Sequence, residues 1–185
     1  MNNLVDRLIN NQIGIIPHDT VPGIIARMSQ SNAKRINQIK SRDENKGFII
    51  LIPNKSYLEQ LAAAIPLAAE GLISDFWPGP LTLILKKQPT VPSLITGNKD
   101  TIAVRYPNHP LLNNILNELN EPIISTSANI SGQTSISNKL MQNIDFTYGK
   151  IDQISNKTSA STIVDATQTP LKILRQGSIT IPITH

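Results

Sequence analysis

Apolar residues recur along this chain in two alternating rhythms: stripes at helical spacing, and short unbroken runs. Leu4, Val5, Leu8 and Ile9 form the first stripe, and Ile13 to Ile16 follows as a buried strand. Ile24 to Ala26 predicts a short strand, and Ala33, Ile36 and Ile39 a helix ending near Lys40. Phe48 to Ile52 is apolar throughout, as in a central strand covered on both faces. Ser56 and Glu59 predict a capping box for a helix with Leu58, Leu61 and Ala62 inside. Pro66 either interrupts that helix or starts a second one towards Phe76. Trp77-Pro78-Gly79-Pro80 reads as a rigid turn into a strand from Leu81 to Leu85.

The second half keeps the rhythm. Ile102 to Arg105 predicts a strand, and Asn108 the cap of a helix carrying Leu111, Leu112, Ile115, Leu116 and Leu119. Ile123-Ile124 predicts a strand entering Ser125-Thr126-Ser127-Ala128-Asn129, and Thr162 to Val164 and Leu171 to Leu174 two more. Strands alternating with helices predict an α/β fold, a twisted mixed sheet flanked by helices. No repeat, low-complexity tract or Gly/Ser linker divides the chain, so one domain over residues 1–185 is expected. Ligands in such folds gather beyond the strand ends.

Composition narrows the picture. At 39% hydrophobic and 16% charged residues the chain is globular rather than disordered. The net charge of +4 suits an anionic small molecule or a nucleic acid without choosing between them. Aromatics at 4% argue against a surface that stacks bases on exposed rings. The absence of cysteine excludes disulfides, thiolate zinc sites and thiol nucleophiles. No signal peptide is visible at Met1-Asn2-Asn3-Leu4, and Phe48 to Ile52 is too short to span a membrane, so a cytoplasmic protein is expected.

Common nucleotide and nucleophile motifs are missing: there is no P-loop, no Gly-x-Gly-x-x-Gly and no Gly-x-Ser-x-Gly. His18, His109 and His185 lack metal-ligand spacing. Four features remain. Lys40-Ser41-Arg42 lies where a helix meets a loop, where the helix dipole alone would favour cations. Ser125 to Gly132 is dense in small hydroxyl and amide residues, as in an anion-binding turn, although turns use such residues for their own backbone too. Arg105 and Arg175 each end an apolar strand, where an arginine either snorkels or offers a bidentate donor. Pro17-His18-Asp19-Thr20-Val21-Pro22-Gly23 links two short strands and reads, on composition, as a proline-stiffened loop.

Taken in order, these segments resemble the YrdC family, the threonylcarbamoyl-AMP synthases that begin threonylcarbamoyladenosine synthesis for tRNA. The family's Lys-x-Arg and distant Ser-x-Asn are matched by Lys40-Ser41-Arg42 and Ser127-Ala128-Asn129. Between and after them lie Phe76 to Thr82, Ala103-Val104-Arg105-Tyr106-Pro107, Ser161-Thr162-Ile163-Val164-Asp165 and Leu174-Arg175-Gln176-Gly177, in family order over nearly the whole chain. The resemblance is to the short, single-domain form, and it implies a YrdC-like fold with a concave basic cleft. It implies ATP, L-threonine and bicarbonate as substrates, with Mg²⁺ as the accompanying cation. Lys40 and Arg42 would be catalytic and neutralise phosphates, Ser127 and Asn129 would hold phosphate oxygens, and Arg175 would contact the nucleotide. Thr20, Arg105 and Ser161 would form the threonine pocket, with Arg105 pairing the carboxylate. Implied partners are weakly bound tRNA and a separate threonylcarbamoyl-transferase complex, with no membrane involved.

Three positions depart from the family pattern: His18 where Thr is usual, Pro22 where an aromatic is usual, and Asp43 where Pro commonly follows the Arg. Two rival readings accompany the first: an enzyme adenylating a different carbamate, and a non-catalytic RNA-binding module on the same surface.

Overall fold

The computed structural model describes residues 2–128, 138–149 and 159–182. Its first half contains α1 (Asn2–Ile9), β1 (Gly14–Ile16), β2 (Gly23–Arg27), α2 (Gln30–Lys40), β3 (Ile49–Leu51), α3 (Leu58–Leu61), α4 (Leu67–Phe76) and β4 (Leu81–Lys86). Then follow α5 (Ser93–Thr96), β5 (Thr101–Arg105), α6 (Pro110–Leu119), β6 (Ile123–Ser127), α7 (Asn138–Met141), β7 (Phe146–Thr147), β8 (Thr162–Asp165) and β9 (Lys172–Arg175). The expected alternation holds at every long element; α5, α7 and β7 are additions too short to show a period.

Among the described residues the strands form one nine-stranded sheet in the order β7-β1-β2-β6-β3-β5-β4-β8-β9. It is mixed: β1–β7, β3–β5 and β4–β8 run parallel and the other neighbours antiparallel. Side chains alternate between the faces with a period of two. Ile24, Ile124, Ile50, Val104, Leu83 and Val164 therefore share one face, where they join Ala33 and Ile36 of α2 and Ala69, Leu72 and Ile73 of α4 in the main core. On the other face α1 and α6 cover Ile16, Ile25, Leu51 and Ile123 in a smaller core. These two helices cover only part of that face. Beyond their cover lie Gly23, Ser125, Ile49, Arg105, Ile163 and Arg175, and a cavity opens over them.

Two predicted caps are corrected. Ser56 does not cap the helix: Asn54 accepts from the Ser56 backbone N–H at 3.0 Å and caps a 3-10 turn, Lys55–Tyr57, that precedes α3. The asparagine wins because its carboxamide reaches the open N–H groups one turn earlier. The helix then ends after four residues, when Ala62 bridges to Lys87, and Pro66 starts α4 rather than interrupting α3. Asn108 does not cap α6 either. His109 occupies the cap in extended conformation with Pro110 at the first helical position, and the Asn108 backbone N–H donates to Asp19 Oδ2 at 3.0 Å.

Ile50 is fully buried on a central strand, between β6 and β5. Ile50→Ala is expected to lower the unfolding free energy by about 2–5 kcal/mol, measured as a reduced urea midpoint at unchanged slope.

Candidate active site

The cavity measures about 350 Å³, within the range of small-molecule sites. Lys40, Arg42, Lys46, Arg105 and Arg175 are all in its lining, and no carboxylate is among the described residues that line it.

The first wall is made by the end of α2. Ser29 caps the helix start through its hydroxyl, accepting from the Asn32 N–H at 3.2 Å. At the other end Ser41 turns left-handed (φ 48°, ψ 47°), and the Ser41 and Arg42 N–H groups close on the carbonyls of Gln38 and Asn37. That turn separates the two cations. Lys40, the last helical residue, is buried and donates its ammonium to the Ser127 carbonyl at the end of β6. Arg42 stacks over the Phe48 ring, 4.7 Å from its centroid, and donates Nη2–H to the Gly47 carbonyl at 2.7 Å. Its Nη1 is buried without a partner. Burial, with Arg42 and Lys46 close by, pulls the Lys40 ammonium down to about 8. Burial also lowers the Arg42 guanidinium, with Asp43 opposing, but leaves it charged at neutral pH.

The second wall is built on β5, β8 and the β1–β2 loop. Arg105 is buried at the end of β5 and donates to the Gly79 carbonyl at 3.1 Å, to Thr20 Oγ1 at 2.9 Å and to the Asp19 carboxylate. Ser161 Oγ lies 2.9 Å from Thr82 Oγ1. Arg175 donates to both the carbonyl and the hydroxyl of Ser161, at 3.0 Å each. Gly177 makes this closure feasible, because a Cβ there would run into the backbone at Ala160 and Ser161. His18 packs against Gly23, where a Cβ would strike the imidazole. Its Nε2 is buried and unpartnered. Burial, seconded by the positive charge of Arg105, pushes this histidine down to about 3, so it is neutral at physiological pH.

The chain matches the Sua5/YciO/YrdC family model, described as telomere recombination, over residues 6–177. It is 41% identical over 169 residues to the threonylcarbamoyl-AMP synthase of Pyrococcus abyssi, covering 88% of this chain and 49% of the relative. The chain belongs to the Sua5/YciO/YrdC family. A putative threonylcarbamoyl-AMP synthase of Methanocaldococcus jannaschii is 34% identical over 187 residues, 96% of this chain and 86% of the relative. A crystal structure of P. abyssi Sua5 complexed with L-threonine superposes with a TM-score of 0.85 at 34% identity, over 95% of this chain and 53% of that one. The chain thus spans about half the length of the P. abyssi relative and most of the M. jannaschii one.

Of the residues that the family resemblance singles out, Lys40, Arg42, Thr20, Ser127, Arg105, Ser161 and Arg175 all line the one cavity. Asn129 lies outside the described residues. Among the described residues the side chain of Arg175 donates to the Ser161 carbonyl and hydroxyl, so it braces the Ser161 wall as well as facing the cavity. The sequence reading omits Lys46 from the lining and Asp19 behind it, and treats His18 as a departure from the family pattern beside the amino-acid pocket, where the lining includes it. For Asp19 the available signal is its place between His18 and Thr20, in a loop whose composition reads as proline-stiffened.

Lys40 carries a pH consequence. Its folded pKa lies below the unfolded value of 10.5, so the protonated side chain favours unfolding. That penalty is complete below about pH 8 and fades as pH rises from about 8 to 10.5. Lys40→Met is expected to stabilise the free protein at pH 7 by on the order of 1–3 kcal/mol, with the gain shrinking above pH 8. Urea melts across pH 7 to 10 read this directly.

Proposed function

We propose that this chain is a threonylcarbamoyl-AMP synthase, forming threonylcarbamoyl-adenylate and pyrophosphate from L-threonine, bicarbonate and ATP. One observation carries the reading: a cavity on one sheet face has Lys40 and Arg42 on one wall and Thr20, Arg105 and Ser161 on the other. The names of the relatives, and the threonine in the P. abyssi structure, support it.

The residues suit the chemistry. The threonine amine takes up bicarbonate carbon with loss of water, giving a carbamate. A carbamate oxygen then attacks the α-phosphorus of ATP, and the bond to the bridging oxygen breaks as pyrophosphate leaves. An anion attacking a polyanion needs fixed positive charge more than it needs a base. Lys40 and Arg42 supply it, with Nη1 of Arg42 left to donate. Ser127, with Asn129 following, would hold phosphate oxygens, and Arg175 would meet the nucleotide from the Ser161 side. Arg105 would pair the threonine carboxylate beside Thr20 and Ser161. His18, neutral, would border the amino-acid subsite as a polar wall and not as a charge.

Among the described residues no group of three or more His, Asp or Glu could hold a metal ion. The lining residues therefore do not fit a protein-bound Mg²⁺, and no step here is assigned to one. Among the described residues no helix is long and apolar enough to cross a membrane. We infer a cytoplasmic protein, working as a single domain over its length, that binds tRNA weakly at most. The mixed anhydride it makes would be consumed by a separate acyl-transfer complex acting on tRNA.

Purified protein is expected to release pyrophosphate from ATP only when threonine and bicarbonate are both present. Turnover with no threonine dependence would point to a different carbamate, and tight RNA binding without turnover to an RNA-binding module. Lys40→Ala and Arg42→Ala are each expected to reduce turnover by more than about 100-fold while circular dichroism stays native; unfolding would make the pair structural. His18→Thr is expected to change the apparent threonine affinity and leave that for ATP unaltered, as steady-state kinetics in each substrate would show.

A further inference from the structure

Arg105 is held in the site from several sides, and its charged partner is Asp19. Its side chain is 3% exposed and that of Asp19 12%, so the pair is withdrawn from water. A guanidinium has five N–H donors in a rigid plane. Among the described residues three are committed, to Gly79, Thr20 and Asp19, which leaves one on each Nη for a ligand in the cavity that Arg105 lines. The carboxylate is itself fixed, because its second oxygen accepts the Asn108 backbone N–H at 3.0 Å. A chain of contacts therefore runs from the segment before α6, through Asp19, to the plane of the Arg105 guanidinium.

Resting on the reading above, we propose that Asp19 is a positioning residue for the amino-acid subsite: it sets the guanidinium of Arg105 so that its two remaining Nη–H donors meet a substrate carboxylate. Two features favour this over simple charge neutralisation. The Gly79 carbonyl and the Thr20 hydroxyl fix the guanidinium from other directions, so its plane as well as its position is specified. And the Gly79 N–H is tied to the Tyr106 carbonyl at 2.8 Å, so the support is continuous with the backbone that follows β5. A bidentate carboxylate contact depends on that plane.

Asp19→Asn tests it. The amide keeps the shape but has one acceptor where two donors point, from Arg105 and from the Asn108 N–H, so one contact is lost. L-threonine binding, measured by calorimetry, is expected to weaken about 10- to 100-fold, with ATP affinity unchanged. Threoninamide, which has no carboxylate, is the discriminating ligand: its affinity is expected to be nearly the same in wild type and variant. Equal weakening for both ligands would make Asp19 merely structural and overturn the proposal. Tighter threonine binding would overturn it too, by showing that Asp19 competes for Arg105. Should Asp19→Asn fail to fold, Asp19→Glu keeps the ion pair and displaces it by one methylene; a smaller, carboxylate-selective loss is expected, and unchanged threonine affinity would overturn the proposal. Wild-type protein that binds no threonine would sink the functional reading and this inference with it, whereas wild-type binding with an unaffected Asp19 variant sinks the inference alone.

Discussion

The register of the central strands is the constraint on which the site depends. Ile49 on β3 sits opposite Ser125 on β6 and Ala103 on β5, and Leu51 sits opposite Ile123 and Arg105. With side chains alternating, this puts Arg105, Ser125 and Ser127 on one face while Ile50, Ile124 and Val104 go to the other. A slip of one residue in any of these pairings would bury an arginine or serine in the main core and expose an isoleucine. The apolar residues on the closed face thereby fix the polar ones on the open face. The same packing that stabilises the fold aims the site.

The cavity itself works against stability. Lys40 and Arg42 leave water, and among the described residues two backbone carbonyls and an aromatic ring receive them. Arg105 is paired with the Asp19 carboxylate. The two walls thus differ: on the α2 wall the described partners of the cations are carbonyls and a ring, and on the β5 wall a carboxylate pairs the guanidinium. On the proposed reading, a polyanion would meet the first wall and a ligand needing orientation the second.

Much of this was legible in the sequence. Long elements announced themselves through period, and the ordered segments around Lys40, Arg105, Ser127, Ser161 and Arg175 identified the family and most of the lining. What escaped has a common cause. Asp19, Lys46 and the Asn54 cap act through contacts made by short, irregular segments that have no period to read. Asn108 shows the limit well. Its side chain advertised a helix cap, while its backbone N–H was engaged by a carboxylate 89 positions away in sequence. Only the fold brings those groups together.

The ends of the sheet bear on how the molecule meets its own kind. Among the described residues, β7 closes one end with two residues, Phe146 and Thr147, and β9 the other with four, of which Lys172 and Arg175 are cationic. An open row of unpaired backbone groups is a template on which another chain can add a strand. Here one border is too short to offer a useful length and the other is studded with positive charge. Among the described residues, neither border therefore offers another chain a long, uncharged strand to pair with.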